Sequence, residues 1–353
     1  MDNYRKYGYD GKDGVLDMVS DNKRTSLLQL RRNFGAIDKY FNKTILIEIP
    51  SFKDPELLNT VYSAVIQADF PERVHFAVCY QDDDMNTLAK LYGVNHMRVA
   101  HVLPEGARGT CYARYLAQEL YDGEDFAFHI DSHMRFIKHW DTELIHQWYA
   151  CNDDKAIISF YPYGYKHEWC TLKLDDPIFD NPYSGGRIGV RMVDDKHWRV
   201  AFLQKMYINR IGAVIRDRSP FVAGGYAFMP GRVSVDVKMD PYMWYQGDEF
   251  AYGIRLFTHG YNVYNTEDSY VLHKYSRPER VVPPMNDRRL REYARLSVLM
   301  GLSNDIDLGE FGVGKVRTIE EYQEFSGLNF ATKSISDKAR EGCYGFEPIF
   351  KEV

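Results

Sequence analysis

The chain has 353 residues, a formal net charge of −6, 45% apolar and 27% charged residues, which suits one large globular domain or two smaller ones and excludes disordered and fibrous classes. Apolar runs such as 44–49 and 155–160 are strand-sized, well short of the roughly 20 residues of a membrane-crossing helix, and the opening MDNYRKYGYDGKDG lacks the apolar stretch of a secretory signal, so no membrane and a cytoplasmic location are expected. Cys79, Cys111, Cys151, Cys170 and Cys343, odd in number and without CxxC spacing, read as reduced, mostly buried thiols.

Residues 1–43 read as a helical extension. The run TILIEI ends at Pro50 and Ser51 as a first strand, and Asp54-Pro55 is a cap and first-turn pair for a helix with Leu58, Val61, Tyr62, Val65 and Ile66 on one face. VHFAVCY (74–80) predicts a second strand that stops at the acidic loop QDDD, and MRVAHV a third that stops before Pro104. A helix over about 109–121 follows, then the strand FAFHI running into Asp131. Strand, helix, strand, strand, helix, strand opens a nucleotide-binding α/β sheet, whose ligands lie beyond the carboxyl ends of the strands. Residues 161–218 have weak periodicity and predict long loops with a few strands. FVAGGYAFMPG is strand-like with a glycine pair, 248–259 is a helix with Phe250, Ile254 and Phe257 on one face that Gly260 ends, and YNVYN and YVLH are strands. Beyond about 280 the chain is mostly helical and includes a capping box, Thr318 to Glu321, opening a helix that Gly327 closes. This divides the chain into an extension (1–43), a catalytic domain (44–280) and a C-terminal helical region (281–353).

The sharpest chemical signal is FHIDSHMRF. Alternate residues of an extended chain project to the same side, so Asp131 and His133 can converge on one point. A hard oxygen beside a borderline nitrogen suits a divalent cation, Mn²⁺ or Mg²⁺, with open positions for phosphate oxygens. The pair reads equally as a turn cap and a satisfied polar residue. A third ligand is needed, and His273 at the end of YVLH is the candidate, with His129, His139, His146 and His259 as rivals. In ARGTCYAR, Arg108 and Arg114 bracket a helix start, a favourable place for a diphosphate or simply two surface arginines. Asp248 and Glu249 in QGDEF are either ordinary helix-start carboxylates or groups that hold sugar hydroxyls and orient an acceptor. Gly224-Gly225 allows close approach of a ligand or serves a turn. No GxGxxG follows the first strand and no Walker A pattern or serine or cysteine nucleophile motif is present, which leaves dinucleotide cofactors and P-loop chemistry unsupported.

Taken together, LYDGEDFAFHIDSHMRFIKHWDTELI, ILIEIPSFKDPELLNTVYSA, ARGTCYAR, GGYAFMPG, QGDEFAYGIRLFTHGY and RTIEEYQEFSG, spread over 45–330, resemble the glycosyltransferases related to the cytoplasmic UDP-GlcNAc:hydroxyproline transferase of a ubiquitin-ligase adaptor. A more distant likeness is to the polypeptide GalNAc-transferases. The resemblance implies a GT-A fold with helical N- and C-terminal extensions, a UDP-sugar donor, Mn²⁺ dependence and retention of configuration. It implies metal binding by Asp131, His133 and His273. Arg108, Arg114 and Arg277 would then hold phosphate or sugar oxygens, with Pro50, Ser51 and Asp82 near the nucleoside.

The function expected is a retaining transfer of a sugar from a UDP-sugar to a hydroxyl on a cytoplasmic macromolecule, foremost a protein side chain. With no carboxylate placed beneath the anomeric carbon, front-face attack by the acceptor hydroxyl is favoured over a covalent intermediate. One alternative is a hydroxymethylated pyrimidine in DNA, as viral base-modifying enzymes use in a host cytoplasm. The acidic balance disfavours it, and a basic face around Lys274, Arg288 and Arg289 would favour it. A non-catalytic nucleotide-sugar or carbohydrate-binding protein is the third reading.

Overall fold

The computed structural model describes residues 40, 42–162, 164–165, 188–194, 197–202, 217–244, 248–265, 269–282, 289–337, 339 and 344. All but residues 40, 42 and 43 of the expected N-terminal helical extension, with Cys170, Cys343 and Arg288, lies outside them. In chain order the elements are β1 (Ile45–Phe52), α1 (Leu57–Gln67), β2 (Val74–Gln81), α2 (Met85–Tyr92), β3 (Met97–Val102), α3 (Thr110–Gln118), β4 (Phe126–Ile130), β5 (Met134–Phe136), α4 (Trp140–Tyr149) and β6 (Ala156–Ser159). These are followed by β7 (Ile188–Asp194), β8 (His197–Phe202), β9 (Asp217–Ser219), β10 (Tyr226–Pro230), α5 (Val233–Asp236), α6 (Asp248–Thr258), β11 (Asn262–Asn265) and β12 (Val271–His273). The last are α7 (Arg289–Leu299), α8 (Ile319–Ser326) and the short β13 (Leu328–Asn329) and β14 (Ser334–Ile335).

An eight-stranded sheet runs β3-β2-β1-β4-β10-β6-β11-β9. The first four strands are parallel, and β10 enters antiparallel between β4 and β6. Chain order leaves β1 in both directions, to β2 on one side and β4 on the other, so a crevice opens beyond the carboxyl ends of β1 and β4 where the direction of winding changes. Both sheet faces are apolar, as a buried parallel sheet requires: Ile45, Ile47 and Ile49 pack with Leu57 and Val61 of α1, and Leu46 packs with Ala77 and Ala117 on the opposite face. Phe250, Ile254 and Phe257 share one face of α6, as their spacing predicts, and pack with Tyr322, Leu328 and Phe330, so the C-terminal region shares a core with the helix that carries Asp248. Gly260 (φ 91°) ends α6, and the Thr318 capping box opens α8. Among the described residues no helix is long and apolar enough to cross a membrane.

Three expectations need correction. β1 does not end at Pro50: it runs on to Phe52. Its pairing with β4 covers only Ile45 to Glu48, so Pro50, which has no N–H to give, stands beyond the stretch flanked on both sides. A helix, α2, separates the second and third strands. It was hidden in QDDD, where the Asp84 side chain accepts from the Asn86 N–H at 3.0 Å as an N-cap. Finally, α1 buries Leu57, Thr60, Val61, Ser63 and Ala64, not the face through Leu58 and Val65, which is half-buried. The reason is polar. Thr60 Oγ1 takes the Met134 N–H at 2.9 Å and donates to the Ser132 carbonyl at 2.8 Å, while Ser63 Oγ takes the Phe136 N–H at 2.9 Å. A search for an apolar stripe passes over two hydroxyls whose partners are distant backbone groups.

Candidate functional site

The loop 131–133 continues β4 into the crevice. α1 clamps its backbone through Thr60, and β5 pairs antiparallel with β12 so that Met134 faces His273. The Lys274 N–H closes this ladder on the His133 carbonyl at 3.1 Å. Two imidazoles far apart in sequence therefore stand side by side, with Nε2 of His133 and Nε2 of His273 3.0 Å apart. Asp131 Oδ2 is 3.1 Å from the His273 nitrogen and 3.8 Å from that of His133. Side-chain exposure is 25% for Asp131, 6% for His133 and 11% for His273, so the corner opens on the Asp131 side.

The electrostatics suit a cation. Burial pushes His273 down to about 4, which keeps it the neutral imidazole that a metal ligand must be. Burial acts to raise Asp131, but its contact with His273 and the charge of Arg114 outweigh that and hold the carboxyl well below the usual range. Arg114 is only 2% exposed and donates from Nη2 to Asp131 Oδ1 at 2.8 Å, which fixes one carboxylate oxygen and leaves Oδ2 for the centre. On the far side of His133, Nδ1 is 2.8 Å from Asp54 Oδ2, the carboxylate–histidine pairing that orients a ligating ring. Three electron-pair donors thus meet within 4.8 Å of one another. Two nitrogens and an oxygen suit Mn²⁺ better than Mg²⁺, which prefers oxygen ligands alone.

The second half of the site follows from register. β10 pairs with β4 so that Tyr226 lies opposite Ile130, which brings the preceding Gly225 against Asp131. A Cβ on Gly225 would meet Asp131 Oδ2 at 2.6 Å, and one on Gly224 would meet Glu249 Oε1 at 3.5 Å and Asp248 Oδ2 at 3.8 Å. The glycine pair is the wall between the metal corner and the first turn of α6. Glu249 accepts from the Gly224 N–H at 2.7 Å and from the Tyr161 hydroxyl at 2.5 Å. Burial raises the pKa of both Asp248 and Glu249. A carboxyl raised above its unfolded value favours folding most at low pH, and that contribution is lost as pH rises toward the folded value. Asp248→Asn should therefore stabilise the ligand-free protein at pH 8 by about 1–3 kcal/mol. The gain should shrink toward pH 4, as thermal melting across that range would report.

The remaining predicted residues occupy different places. Ser51 is 1% exposed at the end of β1, its Oγ without a hydrogen-bond partner among the described residues. Pro50 is buried beside it, and Asp82 follows β2 with Oδ1 accepting from the Asp83 N–H at 2.8 Å. Arg108 is exposed, its guanidinium 5.0 Å from the Tyr112 ring centre. It precedes Gly109, whose φ of 94° and contact with Trp244 start α3. Arg114 is not beside Arg108 on an open surface, because the helix turns it inward to Asp131. Arg277 Nη1 lies 3.2 Å from Asp54 Oδ2 and 2.9 Å from His133 Nδ1. The rival histidines are spoken for elsewhere: His129 pairs with buried Glu48, His139 with Asp69, and His259 with the Arg255 carbonyl, while His146 is exposed on α4. Sequence reasoning missed Tyr161, and it took Asp54 for a helix cap only. A cleft of about 450 Å³ lined by residues between Met300 and Ala331 contains none of these side chains. Among the described residues Cys79, Cys111 and Cys151 are buried thiols in no disulfide.

Residues 84–332 match the family model described as glycosyltransferase (GlcNAc). No curated protein matches the sequence. Among solved structures the fold is similar to that of GalNAc-T7 with UDP, GalNAc and Mn²⁺, with a TM-score of 0.53 and 16% identity over 80% of this chain and 54% of that one. The chain thus spans about half the length of that relative. TarS 1-349 of S. aureus is also similar, with a TM-score of 0.46 and 12% identity over 76% of this chain and 70% of that one.

Proposed function

The chain belongs to the glycosyltransferase (GlcNAc) family, and from that premise we propose a retaining, metal-dependent enzyme that moves a sugar from a UDP-sugar to a hydroxyl on a cytoplasmic macromolecule, foremost a protein side chain. The observation that carries this reading is the convergence of Asp131, His133 and His273 within 4.8 Å in the crevice beyond β1 and β4. The structure similar in fold, GalNAc-T7, holds UDP, GalNAc and Mn²⁺, and the donor and ion proposed here belong to the same classes.

Catalysis is assigned to 44–280, with 1–43 and 281–353 as extensions. Asp131, His133 and His273 would hold the ion. When bound, it supplies Lewis-acid neutralisation of the charge growing on the departing diphosphate. Arg108 and Arg277 offer guanidinium groups to phosphate oxygens, and Arg114 serves by fixing Asp131. Pro50 and Ser51 at the end of β1 and Asp82 just after β2 are assigned to the nucleoside side of the crevice. Gly224 and Gly225 let the sugar approach the backbone. Glu249 is a poor nucleophile, since both oxygens already accept hydrogen bonds and burial favours its neutral form. This supports front-face attack: the bond from the anomeric carbon to the phosphate oxygen breaks, the acceptor oxygen bonds on the same face, and its proton passes to the leaving phosphate.

UDP release by the purified chain with Mn²⁺ and a panel of UDP-sugars tests the proposal. Neither hydrolysis nor transfer with any donor would favour the non-catalytic binding role. Glu249→Gln should slow transfer about 10- to 100-fold while UDP affinity stays within about threefold; equal loss of both would make Glu249 structural. The DNA reading called for a basic rim around Lys274, Arg288 and Arg289, of which Lys274 is paired with Glu56 and Glu279 and Arg288 lies outside the described residues.

A further inference from the structure

We infer that Asp54 is the positioning residue of the metal corner and acts by choosing the tautomer of His133. The inference rests on the reading of Asp131, His133 and His273 as a cation site.

A histidine in a metal site must present a bare nitrogen. Nε2 of His133 faces His273 and Asp131, so the proton of the neutral ring has to be on Nδ1. Two close groups compete for Nδ1, while the Ser132 hydroxyl stands farther off at 3.4 Å and donates to Asp54 Oδ2 instead. Asp54 Oδ2, at 2.8 Å, accepts and holds a proton there; Arg277 Nη1, at 2.9 Å, donates and would drive the proton to Nε2, into the corner. A guanidinium cannot accept a hydrogen bond, so the two demands are opposite. Asp54 wins, because Arg277 can donate to Asp54 Oδ2 at 3.2 Å instead of to the ring.

The carboxylate is built for this task. Its side chain is 8% exposed, and its oxygens divide the work. Oδ1 accepts the Glu56 N–H at 3.0 Å at the start of α1, and Oδ2 serves His133, the Ser132 hydroxyl at 2.8 Å and Arg277. The residue that closes the turn before α1 is thus also the residue that aims a ligand 79 positions later.

Asparagine separates the two duties. Its side-chain oxygen can still accept the Glu56 N–H two residues on, but its neutral amide no longer outbids Arg277 for Nδ1. Titrating the donor-free full chain with Mn²⁺, with free Mn²⁺ read by its electron paramagnetic resonance signal, should show Asp54→Asn weakening binding about 10- to 100-fold. Its metal-free melting temperature should stay near that of the wild type. Equal Mn²⁺ affinity in the two proteins would overturn the role of Asp54 while leaving the cation site standing; a wild-type chain that binds no Mn²⁺ would overturn the site itself. A second measurement does not depend on the variant folding. ¹⁵N NMR of the metal-free wild type should find the His133 proton on Nδ1, and a proton on Nε2 would refute the inference.

Discussion

Asp131→Asn should reduce Mn²⁺-dependent UDP release by at least about 10³-fold, and Asp131→Ala should match that loss and destabilise the protein as well. The two effects have different origins. In the proposed reaction, release of UDP leaves negative charge on the diphosphate, and the residues that would hold a neutralising ion would contribute several kcal/mol of transition-state stabilisation, each 1.36 kcal/mol being a factor of ten. Asparagine keeps a neutral oxygen for Arg114 but removes the anionic ligand, so the loss of rate should come with little loss of stability. Alanine also leaves Arg114 unpaired at 2% exposure, and breaking a buried pair from one side costs about 3–5 kcal/mol. Metal-dependent UDP release and thermal melting of both variants check the prediction. An asparagine variant that retained a tenth of wild-type turnover would remove Asp131 from the ligand set.

How much of this could be read in advance depended on how local the cause was. The Asp-x-His pair stood out as a short local pattern, although residues 131–133 form a bend between β4 and β5 rather than the extended end that alternation assumes, and the Thr318 box was legible because capping acts over three residues. The shared face of Phe250, Ile254 and Phe257 was legible because a helix repeats it. What escaped depends on partners far along the chain. Thr60 and Ser63 looked like interruptions in a helix face, since the carbonyls and N–H groups they serve belong to residues 72 to 74 positions away. Arg114 looked like a phosphate ligand because helix-start arginines often are; its inward turn is set by the position of β4, which the local pattern does not contain. Asp54 was read as a helix cap, but the N-cap of α1 is Glu56 and Asp54 closes the turn before it, its Oδ1 accepting the Glu56 N–H. Its second oxygen meets His133 only because α1 packs against β5. His273 was picked from five histidines by its place at a strand end, and the β5–β12 register supplies the reason for that place.

The same register gives a substitution that should disable the corner without altering any predicted ligand. Gly225→Ala is expected to lower metal-dependent UDP release at least about 100-fold, whereas Gly224→Ala should cost far less. A methyl at Gly225 would stand 2.6 Å from Asp131 Oδ2 and 3.1 Å from its Cγ, well inside van der Waals contact. Asp131 cannot swing away cheaply, because its other oxygen is held by Arg114 at 2.8 Å. The methyl must therefore push Oδ2 off the line to His273 or push β10 away from β4, and catalytic groups displaced by as little as 1 Å commonly lose about 10²-fold in rate. At Gly224 the nearest atom is 3.5 Å away, an ordinary contact that Glu249 can keep. The pair of variants thus sets a steric clash with a ligand against a tolerated neighbour. Mn²⁺ affinity should fall with the rate for Gly225→Ala and stay near wild type for Gly224→Ala. If both alanines were equally active, the Asp131 carboxylate would not be the fixed point on which the corner is built.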